Sequence, residues 1–429
     1  MWIGSRAPRA LVALALISFP IAVAAQSEAD LAHARRLIAS TILVDGHNDL
    51  PWEIRTTKDA PRDVEAYDLR THRPKHTDLA RLAAGGVGAQ FWSIYIPGEI
   101  KDSGFARVQL EQFDIARRMI AKYPDRLRFA TSSEDILRAR KEKRIASLLG
   151  MEGGHAIENS LGALRSYYEL GARYMTLTHN VTLAWADAAL GEEIHGGLTP
   201  FGREVVREMN RLGMLADLSH VSPAVMSNVL DVTEAPVIFS HSSSRALTDH
   251  KRNVPDSILA RLPKNGGVVM VTFVPSFVSN AVRLAEDAAD SARAAIEKTV
   301  TDTVEQGRLM REYTVAHPMP HATLADVADH IEHVRTVASA DNVGIGSDFD
   351  GIEFGPDGLE DTSKFPFLFA ELIHRGWSDA DLRKLAGENV LRAFRQAERV
   401  SQRLRQSRPP STATIEQLDG HSAMTSPAS

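Results

Sequence analysis

The sequence predicts an α/β fold, a (β/α)8 TIM-type barrel, on three observations. Eight short runs of strand character recur along the chain, and the stretches between them carry helical periodicity. Most of the runs end on, or just before, a side chain able to bind a metal or carry a proton. Short strands that are apolar on both faces belong to a parallel sheet covered by helices. Strand ends gathered at one mouth are where such a barrel builds its site.

Taken in order, residues 1–25 read as a signal peptide. Arg6 and Arg9 precede an apolar stretch from Leu11 to Ala24, with small residues ahead of Gln26. Pro20 breaks that stretch, which is shorter than the roughly 20 residues a membrane span needs. The expectation is an exported protein, periplasmic or secreted, with no span in the mature chain. Residues 26–405 form the barrel domain, opened by a helix that Ala29, Leu31, Ala34, Leu37 and Ile38 mark by their spacing. Strands are expected at 41–44, 88–96, 145–151, 174–178, 214–218, 236–240, 268–273 and 343–347, with covering helices at 161–170, 201–212 and 324–337. Residues 279–320, rich in Ala, Glu, Asp and Arg, read as a helical insert between strands seven and eight, either covering the mouth or packing on the outer wall. An amphipathic stretch at 378–403 closes the domain, and 406–429 reads as a flexible tail.

Composition narrows the function. A chain of 429 residues, 44% hydrophobic, buries a large core. Its net charge of -6 gives no basic footprint, so no nucleic-acid partner is expected and a small-molecule substrate is. With no cysteine, disulfides, thiolate ligands and a cysteine nucleophile are excluded, and any homodimer must be non-covalent. Metal ligands must offer nitrogen or oxygen.

The strand ends offer both. His47 and Asp49 follow the first strand, and in an extended segment residues two apart point the same way. Glu152, His179, His220, His241 and Asp348 end later strands. Imidazole and carboxylate ligands suit Zn2+, with Mn2+ or Co2+ as substitutes. Three histidines and two acids exceed what one catalytic zinc requires. Two zinc ions per chain explain the surplus, with Glu152 bridging, His47 and Asp49 on one and His220 and His241 on the other. A bridging hydroxide would form near neutral pH, the pKa of the shared water falling to about 7.

Long stretches of the chain then resemble the renal or membrane dipeptidases, metallopeptidases of the amidohydrolase superfamily. The resemblance covers about Leu37 to Ala397 and rests on VDGHNDLPW, EGGHAIENSLGALR, YMTLTHN, LTPFGREVVREMNRLGM, DLSHVS, APVIFSHSSSRAL, RNVPD, GSDFDG and GLEDTSKFP. It implies the same five metal ligands, His179 at the substrate carbonyl or oxyanion, Arg252 at the substrate, and Asp348 as acid/base. It also implies dipeptide hydrolysis that tolerates a D residue at the C-terminal position. Asp350 is a weaker acid/base candidate, and Asp45 and His155 read as supporting residues. The animal members are membrane-attached and use cysteines, which this chain lacks, and where they place a Tyr after strand seven it has Val274.

Other readings are an amidohydrolase acting on another amide or a lactone, such as a β-lactam, and an exported binding protein without chemistry. The related lactone and phosphotriester enzymes often use His-x-His on strand one and a carbamylated Lys on strand four. This chain has His47-x-Asp49 and His179 there. Ser240 to Ser244 lack the flanking glycines of a nucleophile elbow. Gly85 to Gly88 precede a strand and form no dinucleotide loop. Asn180-Val181-Thr182 fits a glycosylation sequon beside the proposed site.

Overall fold

The computed structural model describes residues 27–100 and 104–420. The signal peptide expected at 1–25 lies outside the described residues.

Nine parallel strands form the sheet: β1 (Leu43–Asn48), β2 (Val87–Ser93), β3 (Leu127–Phe129), β4 (Ile145–Glu152), β5 (Ala172–Thr176), β6 (Leu215–Asp217), β7 (Ile238–Phe239), β8 (Val268–Val271) and β9 (Val343–Ile345). Eight of them close a ring in the order β1-β2-β4-β5-β6-β7-β8-β9, shut by the pairing of Asp45 with Ile345. All eight are strands the sequence predicts. The ninth, β3, pairs with the first half of β4 while β5 pairs with the second half. Three residues are too few to carry a period, so β3 escapes sequence patterning.

The covering helices start and stop where their caps dictate. In the helix Pro200–Leu212, Thr199 accepts from the backbone N–H of Gly202, Pro200 occupies the first turn, and Gly213 ends the helix at φ 86°. That left-handed conformation is open to glycine at little cost. Its buried face carries Phe201, Val205, Val206, Met209 and Leu212, the spacing the sequence shows. Thr323 and Asp326 form a capping box on the helix Leu324–Val337.

The apolar core has two parts. One lies between the ring and its helices. The other takes in Val44, Phe91, Leu148, Tyr174, Leu215, Ile238 and Met270, and continues into Val390, Phe394 and Ala397 of the helix Asn389–Ser407. Val44, Ile238 and Val268 stand at or near strand starts, so this helix closes the end of the barrel away from the strand-end ligands.

Two expectations change. The segment 279–320 is indeed helical, as Asn280–Thr299 and Thr303–Ala316. The first helix buries Val282 and the second buries nothing, so the pair packs mostly on itself and is neither lid nor wall. The segment read as a flexible tail is ordered to Gly420. Arg165 donates to the Ser411 carbonyl, and Asp419 accepts from Thr199 Oγ1 at 2.7 Å and the Phe201 N–H at 2.8 Å, capping the helix Pro200–Leu212. Its polar composition suggested solvent, but those groups are used as caps. Residues 421–429 lie outside the described residues.

Candidate metal centre

All seven strand-end groups named from the sequence converge at one mouth of the ring, lining or lying beside a cavity of about 550 Å³. Glu152, the last residue of β4, is the hub. Its Oε1 is 3.0 Å from His220 Nε2 and 3.4 Å from His241 Nε2, while its Oε2 is 3.4 Å from His47 Nε2. His47 Nε2 is 3.2 Å from Asp49 Oδ2 and 3.7 Å from Asp348 Oδ1. Three overlapping groups have metal-holding geometry: His47 with Asp49 and Glu152, Glu152 with His220 and His241, and His47 with His241 and Asp348.

The backbone is bent to achieve this. His220 and Asp348 have φ values of 68° and 66°, in the left-handed region that non-glycine residues avoid. Such strain persists where surrounding structure enforces it, and it collects at functional sites. Asp49 is not in the strand, as the two-residue spacing suggested. It stands at the N-terminal boundary of the helix Leu50–Thr56 without a side-chain capping bond, which leaves its carboxylate 3.2 Å from His47 Nε2.

Hydrogen bonds behind the imidazoles fix their tautomers. Tyr174 donates its hydroxyl to the Gly46 carbonyl at 3.2 Å, so it accepts from His47 Nδ1 at 2.9 Å. Ser240 donates to Asp217 at 2.5 Å and therefore accepts from His241 Nδ1 at 2.8 Å. Asn180 Oδ1 accepts from His220 Nδ1 at 3.0 Å. Each Nε2 is then left with a lone pair facing the centre. The lone pairs of His220 and His241 face each other at 2.9 Å, and His47 Nε2 is buried without a hydrogen-bond partner. Lone pairs and carboxylates crowded together repel, and cations between them resolve that repulsion. The donor set fits metal ions, which His47, Asp49, Glu152, His220 and His241 could hold.

The electrostatics agree. Burial pushes Glu152 up, but His47, His220 and His241 around it outweigh this and hold its carboxyl well below the usual range. Burial, with Arg252 and the neighbouring imidazoles, holds His220 and His241 well below the ordinary imidazole value and keeps them neutral. Burial opposes positive charge on His47, yet Glu152 and Asp49 favour it strongly enough to raise that group well above its ordinary value. Positive charge is wanted at that point.

The remaining residues surround this cluster. His179 Nε2 lies 3.9 Å from Glu152, and burial keeps its ring neutral. Burial, joined by Asp49 and Glu152, raises Asp348 to about 7 against the pull of His47 and Arg252. Arg252 is buried, with bonds of 3.4 Å to Ser242 and the His241 carbonyl and no carboxylate in ion-pair range among the described residues. Burial pulls it down to about 10, which leaves it charged at neutral pH. Val274 lines the cavity as well.

Asp45 binds Ser347 and Gln90, joining β1 to β9 and β2, and His155 bonds the Ile96 carbonyl, so both support the fold. Asp350 accepts from the His76 backbone and is placed beside the centre instead of in it. Sequence reasoning passed over Tyr174, Asn180, Asp217 and Ser240, and over the wall residues Trp52, Glu53 and Tyr95. Asn180, seen in the sequence as a sequon, turns inward to orient His220.

Known proteins resemble this chain in sequence and fold. The family model of membrane dipeptidase, peptidase family M19, matches residues 31–408. Dipeptidase verJ from Clonostachys rogersoniana is 40% identical over 389 residues, covering 88% of this chain and 90% of that protein. The probable dipeptidase PvdM from Pseudomonas aeruginosa superposes with a TM-score of 0.75 at 25% identity, over 87% of this chain and 99% of that one. A metallo peptidase from Rhodobacter sphaeroides, liganded with a phosphinate mimic of the dipeptide L-Ala-D-Ala, shares the fold at a TM-score of 0.68 and 24% identity, over 83% and 99% of the chains. Because the family match covers residues 31–408, which hold the whole cluster from His47 to Asp348, the chain belongs to the membrane dipeptidase family M19 and is a metallo-dipeptidase.

Proposed function

We propose that the protein hydrolyses dipeptides with free ends, L,D-dipeptides included, using two Zn2+ ions per chain bridged by Glu152. The observation that supports this reading is the convergence of three imidazoles on the two oxygens of one buried glutamate, with the Asp49 carboxylate beside His47. Bound there, the cations would lower the pKa of a shared water toward about 7 and polarise the scissile carbonyl.

The protein's own groups do the rest. Arg252 presents a planar, unpaired guanidinium for the free carboxylate of the substrate. His179, neutral and on the cavity wall, donates to the carbonyl oxygen as negative charge develops on it. Asp348, beside the centre but accessible from the cavity, takes a proton from the attacking water and returns it to the departing amine. The cavity volume accommodates a dipeptide. The N-terminal sequence supports export, and among the described residues no helix is long and apolar enough to cross a membrane. Any dimer is non-covalent.

The test is hydrolysis of L,L and L,D dipeptides by chelator-treated protein before and after Zn2+ is restored. Zinc-dependent cleavage confined to dipeptides is expected. Asp348→Asn is expected to keep its metal and lose about 10²- to 10⁴-fold in kcat, and Glu152→Gln to lose both activity and metal. Full activity in either variant refutes that residue's role.

A further inference from the structure

The helix Leu50–Thr56 lays one face along the cavity. Asp49, Trp52, Glu53 and Thr56, at i, i+3, i+4 and i+7, all line it. Glu53 thus stands about one helical turn, about 5.4 Å of rise, beyond the metal ligand Asp49. It is half-buried, and its carboxylate makes no hydrogen bond or ion pair with any described residue.

Asp350 lines the same cavity from the loop after β9. Its side chain is fully enclosed, with Oδ1 accepting from the His76 N–H at 2.9 Å and Oδ2 left without a partner. Its φ of 67° shows a backbone held in place against its own preference. Burial raises Glu53, and the Asp350 charge raises it further, so the two carboxylates feel each other. Lys75 lines this end too and draws Glu53 down, but it forms an ion pair with neither acid. Arg73 and His76, behind the cavity wall, draw Glu53 down as well, so only among the groups lining this end are there two carboxylates to one ammonium.

Buried carboxylate oxygens without partners cost free energy unless something satisfies them. Trp52 and Tyr95, edge to face at 4.9 Å, add an aromatic wall to the same cavity. Arg252 follows β7, whereas Glu53 follows β1, three places along the ring. Both line the same cavity, so a dipeptide held by its carboxylate at Arg252 and crossing the metal centre would bring its N-terminal residue to the β1 side, where Glu53 stands.

We propose that Glu53, backed by the charge of the enclosed Asp350, forms an acidic subsite that selects dipeptides whose N-terminal residue has a cationic side chain, lysine or arginine, its aliphatic stem lying along Trp52 and Tyr95. The assignment rests on the dipeptidase reading of the metal centre and names the substrate class within it.

The experiment compares kcat/KM of zinc-loaded protein for Lys-Ala, norleucyl-Ala and Glu-Ala, which share length and C-terminus. Lys-Ala is expected to exceed norleucyl-Ala by roughly tenfold, as a charge-assisted hydrogen bond in a partly desolvated cavity implies. Glu-Ala is expected to be slowest. The difference should lie in KM, and calorimetric binding of lysinamide over norleucinamide should show the same preference without turnover. Glu53→Gln is expected to collapse the Lys-to-norleucine ratio toward one, and Glu53→Lys to turn the preference toward Glu-Ala. Equal cleavage of all three peptides by the unaltered protein, or a ratio that survives Glu53→Gln, overturns the subsite and leaves the dipeptidase standing. Preference for Glu-Ala overturns it in favour of Lys75. Failure to cleave any of the three removes the dipeptidase reading and the subsite with it.

Discussion

Each metal-facing imidazole is oriented by a side chain that no ligand pattern in the sequence names. Tyr174 sits behind His47, Asn180 behind His220, and Ser240 with Asp217 behind His241. Partners of this kind typically set metal affinity by 10- to 100-fold. Tyr174→Phe and Ser240→Ala are therefore expected to weaken zinc binding by about that factor, measured by competition with a chromogenic chelator. Unchanged affinity would reduce both to packing residues. Space matters equally. A Cβ on Gly351 would stand 2.3 Å from Asp49 Oδ2 and 3.0 Å from Asp348 Oδ1, so Gly351→Ala is expected to lower the metal content per chain. That these polar residues cluster was legible in the sequence because most of them close an apolar strand. Their supporters were not. A tyrosine inside β5 reads as core, and its hydroxyl meets His47 only once β5 and β1 share one barrel interior, with Gly150 leaving room for the ring.

At the scale of elements, the eight ring strands and three covering helices were legible because burial imposes a period on them. The insert was legible as helix but not in its placement, since amphipathicity does not say which partner a face meets. The loop after β7 depends on a contact from a distant helix. His330, on Leu324–Val337, accepts the Ser244 N–H at Nδ1 and donates from Nε2 to the Val278 carbonyl. Only the neutral ring can do both. Burial lowers His330 from 6.5 to about 4. The unfolded chain thus takes up this proton near pH 6.5, while the folded protein resists it until about pH 4. The stabilisation is fully present above pH 6.5 and is lost as pH falls from there, by about 3 kcal/mol at most. Denaturant unfolding between pH 7 and pH 4 should show this decline, with a shallower one in His330→Gln. An identical slope in the variant would assign the acid sensitivity to His155 and His250, which burial also lowers to about 4.

For the molecule as a whole, the ordered C-terminal segment ties the end of the chain to a wall helix. Truncation after Ser407 removes the Asp419 cap on Pro200–Leu212 and the Ser411 contact with Arg165. A loss of about 1–2 kcal/mol is expected, read as a fall in thermal midpoint of several degrees with metal content retained. A truncated protein with an unaltered midpoint would show that the segment only rests on the surface.

The placement of the ligands has a consequence for how the protein acquires its metal. Apart from His47 and Asp49, neighbouring ligands such as His220 and His241 stand at least 21 residues apart, and the chain has no thiol to seize an ion early. The unfolded polypeptide thus carries no ready chelate, and a full coordination shell exists only after β1, β4, β6 and β7 have come together in one ring. Metal uptake would then be a late event that seals a finished barrel.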